Sequence, residues 1–231
     1  EWNALEEAER RVRAGLEQMQ GWSSPNDLGL GTVTLARVCL SRRDLAGAED
    51  ALQKVVELGA QTPLYPQIEA LIERCRAGLW LAQGDLAAAA AWVRELGIGP
   101  GDALSSANEL RYMMLARVLI ARGEAEQAAG LLARLAAGAE AGGRTGRLIE
   151  ILALQALALA ARPGAARAAL ARSLALAEPE GYVRLYVDEG APMAALLAEL
   201  RELKELRELR GSTHSLPAYV DRLLSAFEGQ G

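Results

Sequence analysis

The chain has no long apolar run, few aromatic side chains, one histidine, two cysteines and no excess of positive charge. Each shortage removes a class of function. No stretch approaches the roughly 20 apolar residues needed to cross a bilayer, so no membrane partner is expected. Aromatics make up 4% of the chain, too little stock for base- or sugar-stacking platforms, and the net charge of −5 opposes the basic footprint of a nucleic-acid-binding domain. The single histidine, His214, stands in the polar loop Ser212-Thr213-His214-Ser215. A Ser-His-Asp site would have to be built on it, and a polar loop positions a general base poorly. Cys39 and Cys75 are 36 residues apart without paired partners, so no His/Cys metal cluster is available. Both lie in apolar helical runs and read as buried reduced thiols. The only lysines, Lys54 and Lys204, follow Gln53 and Leu203 rather than the glycine of a phosphate loop. No catalytic residue, metal or cofactor is expected in this chain. Its start, Glu1-Trp2-Asn3, lacks signal-peptide character, and a cytoplasmic protein is expected.

Alanine and leucine dominate the 51% hydrophobic fraction, and they are arranged periodically. The stretch Leu79–Ala89 is an apolar helical run, a break at Gly84, and a second run. Gly84 suits the left-handed residue that ends a helix, and Asp85 suits the cap of the next. Ala89, five residues past the glycine, is small enough to let two helices lie close. Arg43–Ala48 and Gly123–Ala128 repeat this pattern, with weaker copies at Asn3–Ala8 and Ala161–Ala166. The turns at 3, 43, 84, 123 and 161 are spaced by 40, 41, 39 and 38 residues, the sign of a stacked repeat protein. The sequence therefore predicts an all-α superhelix (a solenoid) of antiparallel helix hairpins with a period of about 40 residues.

In order, helices are predicted over 4–20, 27–42, 44–58 (closed by Gly59), 66–82 and 85–97. After the break Gly97–Gly101, a helix capped by Ser105 or Ser106 runs to Ala121, and 124–139 returns. Residues 147–161 and 165–177 form the last clear hairpin, with Pro163-Gly164 in its turn. The register makes 4–20 a second helix lacking its first, so the first repeat is expected to be truncated. The solenoid is expected over 1–178 and a C-terminal helical extension over 179–231. In that extension Tyr182 and Tyr186 have helical spacing, 192–210 reads as a charged solvated helix, and 216–227 as a short final one.

The hairpins resemble tetratricopeptide repeats with helices longer than the usual 34-residue period allows. Two segments sharpen the resemblance: Ser173–Met193, with its core from Pro179 to Met193, and Ala218–Phe227. Together with the opening Glu1–Ala8 they are similar to the large ATP-dependent regulators of the LuxR type related to the maltose activator MalT. The resemblance covers essentially the whole chain. It implies the signal-sensing piece alone, because the nucleotide-binding module and the helix-turn-helix that flank it in that family have no counterpart here. ATP is thus expected on an absent N-terminal module.

Aligning the hairpins on their turns gives one face of the first helices, which the tetratricopeptide resemblance places in a concave groove. Six residues before each turn stand Arg37, Gly78, Arg117 and Gln155; four earlier, Val33, Arg74, Met113 and Ile151; four earlier again, Gly29, Ala70, Glu109 and Arg147. The candidate ligand-binding residues are therefore Arg37, Arg74, Glu109, Met113, Arg117, Arg147, Ile151 and Gln155. Arginine forks bind carboxylate or phosphate bidentately, which favours an anionic ligand or acidic peptide. The competing reading pairs these arginines with Glu73, Glu109 and Glu150 in a structural network. Trp80 and Trp92 read as helix-packing residues, and Trp2 and Trp22 as lying near the truncated edge. By resemblance the groove binds an inducer, small molecule or protein, and controls ATP-dependent self-assembly of the regulator. The partners expected are that inducer and other modules of the same regulator, without nucleic-acid contact by this chain. The alternative is a scaffold that holds a partner's helix or peptide. Self-association through helix 4–20 or 192–210 is a third possibility.

Overall fold

In the computed structural model the repeated turn is the unit from which everything else is built. Leu119 accepts the N–H of Glu124 at 2.8 Å while Ile120 accepts that of Gly123 at 3.0 Å. The same pair of bonds closes the turns at Arg43-Asp44 and Gly84-Asp85, so one Schellman arrangement serves three hairpins. It needs a left-handed residue, and Asn3, Arg43, Gly84 and Gly123 all have φ between 61° and 79°. Asp44 and Asp85 then cap the next helix, each accepting a backbone N–H three residues on at 2.9 Å. Five residues beyond the turn, Ala48, Ala89, Ala128 and Ala166 are 0–1% exposed. At 161 the turn is built differently: Pro163 opens the following helix, where its missing N–H costs nothing.

The structure describes residues 3–19, 21, 23–202 and 216–228. Among them the regular elements are helical: α1 (Leu5–Met19), α2 (Pro25–Ser41), α3 (Leu45–Gln61), α4 (Pro66–Gln83), α5 (Leu86–Leu96), α6 (Glu109–Ala121), α7 (Ala125–Ala141), α8 (Thr145–Ala158) and α9 (Pro163–Ala177). A 3-10 turn (Glu178–Glu180) leads to α10 (Arg184–Val187), α11 (Ala191–Glu202) and α12 (Leu216–Glu228). This is the expected all-α, tetratricopeptide-like architecture of antiparallel hairpins. Among the described residues no helix is long and apolar enough to cross a membrane.

Several boundaries differ from expectation. Gly59 lies inside α3, which runs on to Gln61. Neither serine caps α6; Asn108 precedes it, and its side chain instead accepts the Ser105 N–H at 2.8 Å, folding 105–108 into a turn. Helix α8 begins at Thr145 and ends at Ala158. The predicted helix over 192–210 is seen as α11 to Glu202; its remainder, with Lys204, lies outside the described residues, as do His214, Trp2 and Trp22.

The chain divides into two compact units, 4–99 and 100–231, the latter also taking in the first three residues. The division falls at the glycine-rich break after α5 rather than near 178. In the N-terminal unit α2 packs on α1, α3 and α4 around Val33, Ala36, Cys39, Val55 and Cys75. None of α1 is fully buried; Val12 and Leu16 pack on this core from its edge. Both cysteines are buried free thiols. Trp92 is buried, whereas Trp80 is half-exposed beneath the Arg76 guanidinium, 5.4 Å from its ring centroid.

In the C-terminal unit α6/α7 and α8/α9 stack, and the extension belongs to the same core. Tyr186, Val187, Met193 and Leu197 join Ile149, Ala153, Leu170 and Leu174 in one cluster. A relay of hydroxyls fixes this docking. Ser173 Oγ donates to the Ile149 carbonyl at 2.8 Å and accepts from the Tyr186 hydroxyl at 2.8 Å. The Tyr186 ring meets Tyr219 of α12 edge-on, 6.3 Å between centroids.

Candidate functional site

A helix packed on several neighbours has little free surface. Helix α8 packs on α6, α7, α9 and α11, helix α6 on α7 and α8, and both are buried nearly all round. Register therefore decides what each position does. The positions ten residues before the turn are core: Val33, Met113 and Ile151 are 0–1% exposed, with Arg74 the half-buried exception. Met113 and Ile151 thus correct the expectation of an apolar groove lining, since both side chains are spent on interior packing. The positions six before the turn do reach the surface: Arg37 is exposed, and Arg117 and Gln155 are half-buried.

Within the C-terminal unit, charge runs across the first-helix face as one alternating chain. Arg117 of α6 donates from Nη2 to Glu150 Oε1 of α8 at 3.0 Å. Its Nε and Nη2 also reach Glu189 Oε1, at 3.1 and 2.6 Å. Arg147 donates to the other oxygen of Glu150 at 3.2 Å and lies 3.9 Å from Glu109 Oε2. Arg144 donates to Glu109 Oε1 at 3.0 Å and to the Gly138 carbonyl at 2.9 Å. Glu109 and Glu150 are buried carboxylates, held by these guanidiniums. Burial opposes charge on Arg117, but Glu189 and Glu150 outweigh it and push its pKa up, so it stays protonated.

The ion pairing weighed against ligand binding is present here: Arg117 and Arg147 both pair with Glu150, and Arg147 lies beside Glu109. Two members escaped sequence reasoning. Arg144 stands at the N-cap of α8, three residues before Arg147, and the four-residue step of the alignment passes over it to Gly143. Glu189 sits in the turn between α10 and α11, where no helical period points. The outer guanidiniums keep partial access to solvent, with the Arg144 and Arg147 side chains 32% and 35% exposed.

In the N-terminal unit Arg37 and Arg74 belong to neighbouring helices α2 and α4. Both bear electrostatically on the buried Cys75 thiol, whose pKa burial nevertheless pushes up to about 11. Tyr112 is buried and donates its hydroxyl to Asp102 at 2.8 Å. Among the described residues no group of His, Cys, Asp and Glu could hold a metal ion.

Repeated hairpins, alanine seams and a charged first-helix face define a tetratricopeptide-like repeat region. Residues 1–203 match the family model described as the MalT-like TPR region. The chain is 30% identical over 200 residues to the HTH-type transcriptional regulators MalT of Yersinia pestis (strain Pestoides F) and Yersinia pseudotuberculosis serotype O:1b (strain IP 31758), covering 86% of this chain and 22% of each relative. It is 29% identical over 206 residues to the MalT of Cronobacter sakazakii (strain ATCC BAA-894), with the same coverage. The chain belongs to the MalT-like TPR family, and it spans about a fifth of the length of these transcriptional regulators.

Proposed function

We propose that this chain is the signal-sensing region of a MalT-like transcription activator, and that its first-helix face recognises the inducer. The observation that carries this reading is the concentration of three guanidiniums, Arg117, Arg144 and Arg147, on the α6–α8 face. Guanidinium forks select planar anions, so the inducer, small molecule or protein, presents a carboxylate or phosphate there. Glu109 adds acceptor oxygens beside Arg144 and Arg147, Gln155 adds a half-buried amide on α8, and in the N-terminal unit Arg37 and Arg74 offer a second basic face. Binding acts on the rest of the regulator only by favouring one arrangement over another. The state favoured is the one competent for ATP-dependent self-assembly, with ATP held by a separate module.

The test is a thermal-shift screen of the chain against sugars, oligosaccharides and organic anions, since a ligand of the native state raises its melting temperature by mass action. A shift is expected with an anionic compound and is expected to vanish in Arg147→Ala. A shift that persists equally in Arg147→Ala and in Arg37→Ala/Arg74→Ala would place the ligand elsewhere. A blank across the screen moves the search to protein inducers, tested by pull-down with the same variants as controls.

A further inference from the structure

We propose that the Arg117 guanidinium is a carboxylate-binding site whose present occupant is the chain's own Glu189. An incoming carboxylate and the turn between α10 and α11 therefore compete for it. This rests on reading the α6–α8 face as a recognition surface.

Three observations lead there. Among the described residues the network sets Arg117, Arg144 and Arg147 against Glu109, Glu150 and Glu189. Five of these six residues belong to the hairpins α6/α7 and α8/α9 or the short turn between them. The sixth, Glu189, is brought in from the extension, 72 residues along the chain from Arg117. Second, the contact has the form of ligand recognition. Two N–H groups of one fork converge on a single carboxylate oxygen, with Glu150 accepting behind them. Third, apart from Glu189 the turn is held by its own short-range bonds, Glu189 N–H to the Tyr186 carbonyl, Gly190 N–H to that of Val187, and Asp188 to Arg184. Gly190 takes a left-handed conformation (φ 73°), and Asp188, Ala191 and Pro192 are exposed. The flanking Tyr186, Val187 and Met193 are anchored in the core by contacts that owe nothing to Glu189. Removing Glu189 takes the shared acceptor from Arg117 Nε and Nη2 in a partly dry site, and an external carboxylate of the same size fills its place.

A tethered side chain competes at a high effective concentration, so acetate will not displace Glu189 in the wild-type chain. It will occupy the place vacated in Glu189→Ala. The experiment follows backbone hydrogen exchange in peptides over 184–193, in the full chain, with sodium acetate against sodium chloride at matched ionic strength. In Glu189→Ala, exchange in this window is expected to rise about tenfold while α7 is unchanged, and acetate restores most of the protection. The restoration is expected to disappear in Arg117→Met/Glu189→Ala. Should Glu189→Ala fold poorly, Glu189→Gln keeps the shape and still loosens the same window. Acetate acting no differently from chloride on Glu189→Ala, or acting equally on the double variant, overturns the proposal. A metabolite shift abolished by Arg147→Ala but accompanied by no acetate rescue would sink this inference and leave the sensing role intact. Acetate rescue with a blank metabolite screen and no protein captured in the pull-down would support the site and sink the sensing role.

Discussion

The two compact units use one hairpin template and spend their first-helix faces differently. In the N-terminal unit the interior is aliphatic, with alanines and two buried thiols, and ion pairs such as Lys54–Asp50 and Arg13–Glu9 lie toward the surface. In the C-terminal unit two carboxylates are buried and an arginine with a side chain only 15% exposed joins α6, α8 and the extension. The turn bonds and the buried alanines are common to both. Fold and face are therefore separable here: turn, seam and the core positions ten before the turn make the template, and the positions that reach the surface, such as Arg37 and Arg117, carry the difference.

The sharpest way to break that comparison is to remove charge from each face. Arg117→Met takes the guanidinium from Glu189, leaves Glu150 without one of its two, and is expected to destabilise the chain by about 3 kcal/mol. Arg37→Met, on an exposed position, is expected to change stability by less than about 0.5 kcal/mol. Urea titrations followed by circular dichroism, with Trp80 and Trp92 fluorescence reporting the N-terminal unit, give both numbers. Equal effects would mean that the two faces do not differ in kind.

The next test belongs to the N-terminal unit. Burial raises the Cys75 thiol from an ordinary value of 9.0 to about 11. A group raised on folding contributes fully below its unfolded pKa, and the contribution is lost as pH rises through the folded one. Wild-type stability is therefore expected to fall between pH 9 and 11 by about 2 kcal/mol more than that of Cys75→Ala. Parallel pH profiles would show that the thiol is not buried as described.

A smaller effect than that of Cys75 is a gain. Arg43 holds a left-handed conformation (φ 61°) in which its counterparts at two other turns are glycine. Arg43→Gly is expected to stabilise the N-terminal unit by about 1 kcal/mol, read as a rise in the urea midpoint. A fall would show that the arginine side chain contributes more than its backbone strain costs.

What was legible in the sequence follows from the range of the interactions. Gly84, Asp85 and Ala89 could be read as stop, cap and seam because all three act within one turn of chain. Their copies at 43 and 123 confirmed them by spacing alone. The serines before α6 misled because Asn108 three residues on offers a competing side-chain acceptor, and local sequence does not rank the two. Arg117 and Arg147 were reachable by register. Met113 and Ile151 were misplaced because the same register cannot tell a solvent-facing side of a helix from one buried by a neighbour. Glu189 was invisible for a different reason: its partner lies 72 residues away. Nothing in Asp188-Glu189-Gly190 distinguishes it from any other polar turn.

The seam alanine has a further consequence for how such a chain tolerates insertion and loss. Stop, cap and seam occupy six consecutive residues, as in Gly84–Ala89. The joint between two helices is thus self-contained, and the helices leading away from it are free to gain or lose residues. Spacings of 40, 41, 39 and 38 are what that freedom looks like. A duplicated stretch of this length would carry a complete joint with it, ready to dock on its neighbour, while the outward faces of the two copies drifted apart.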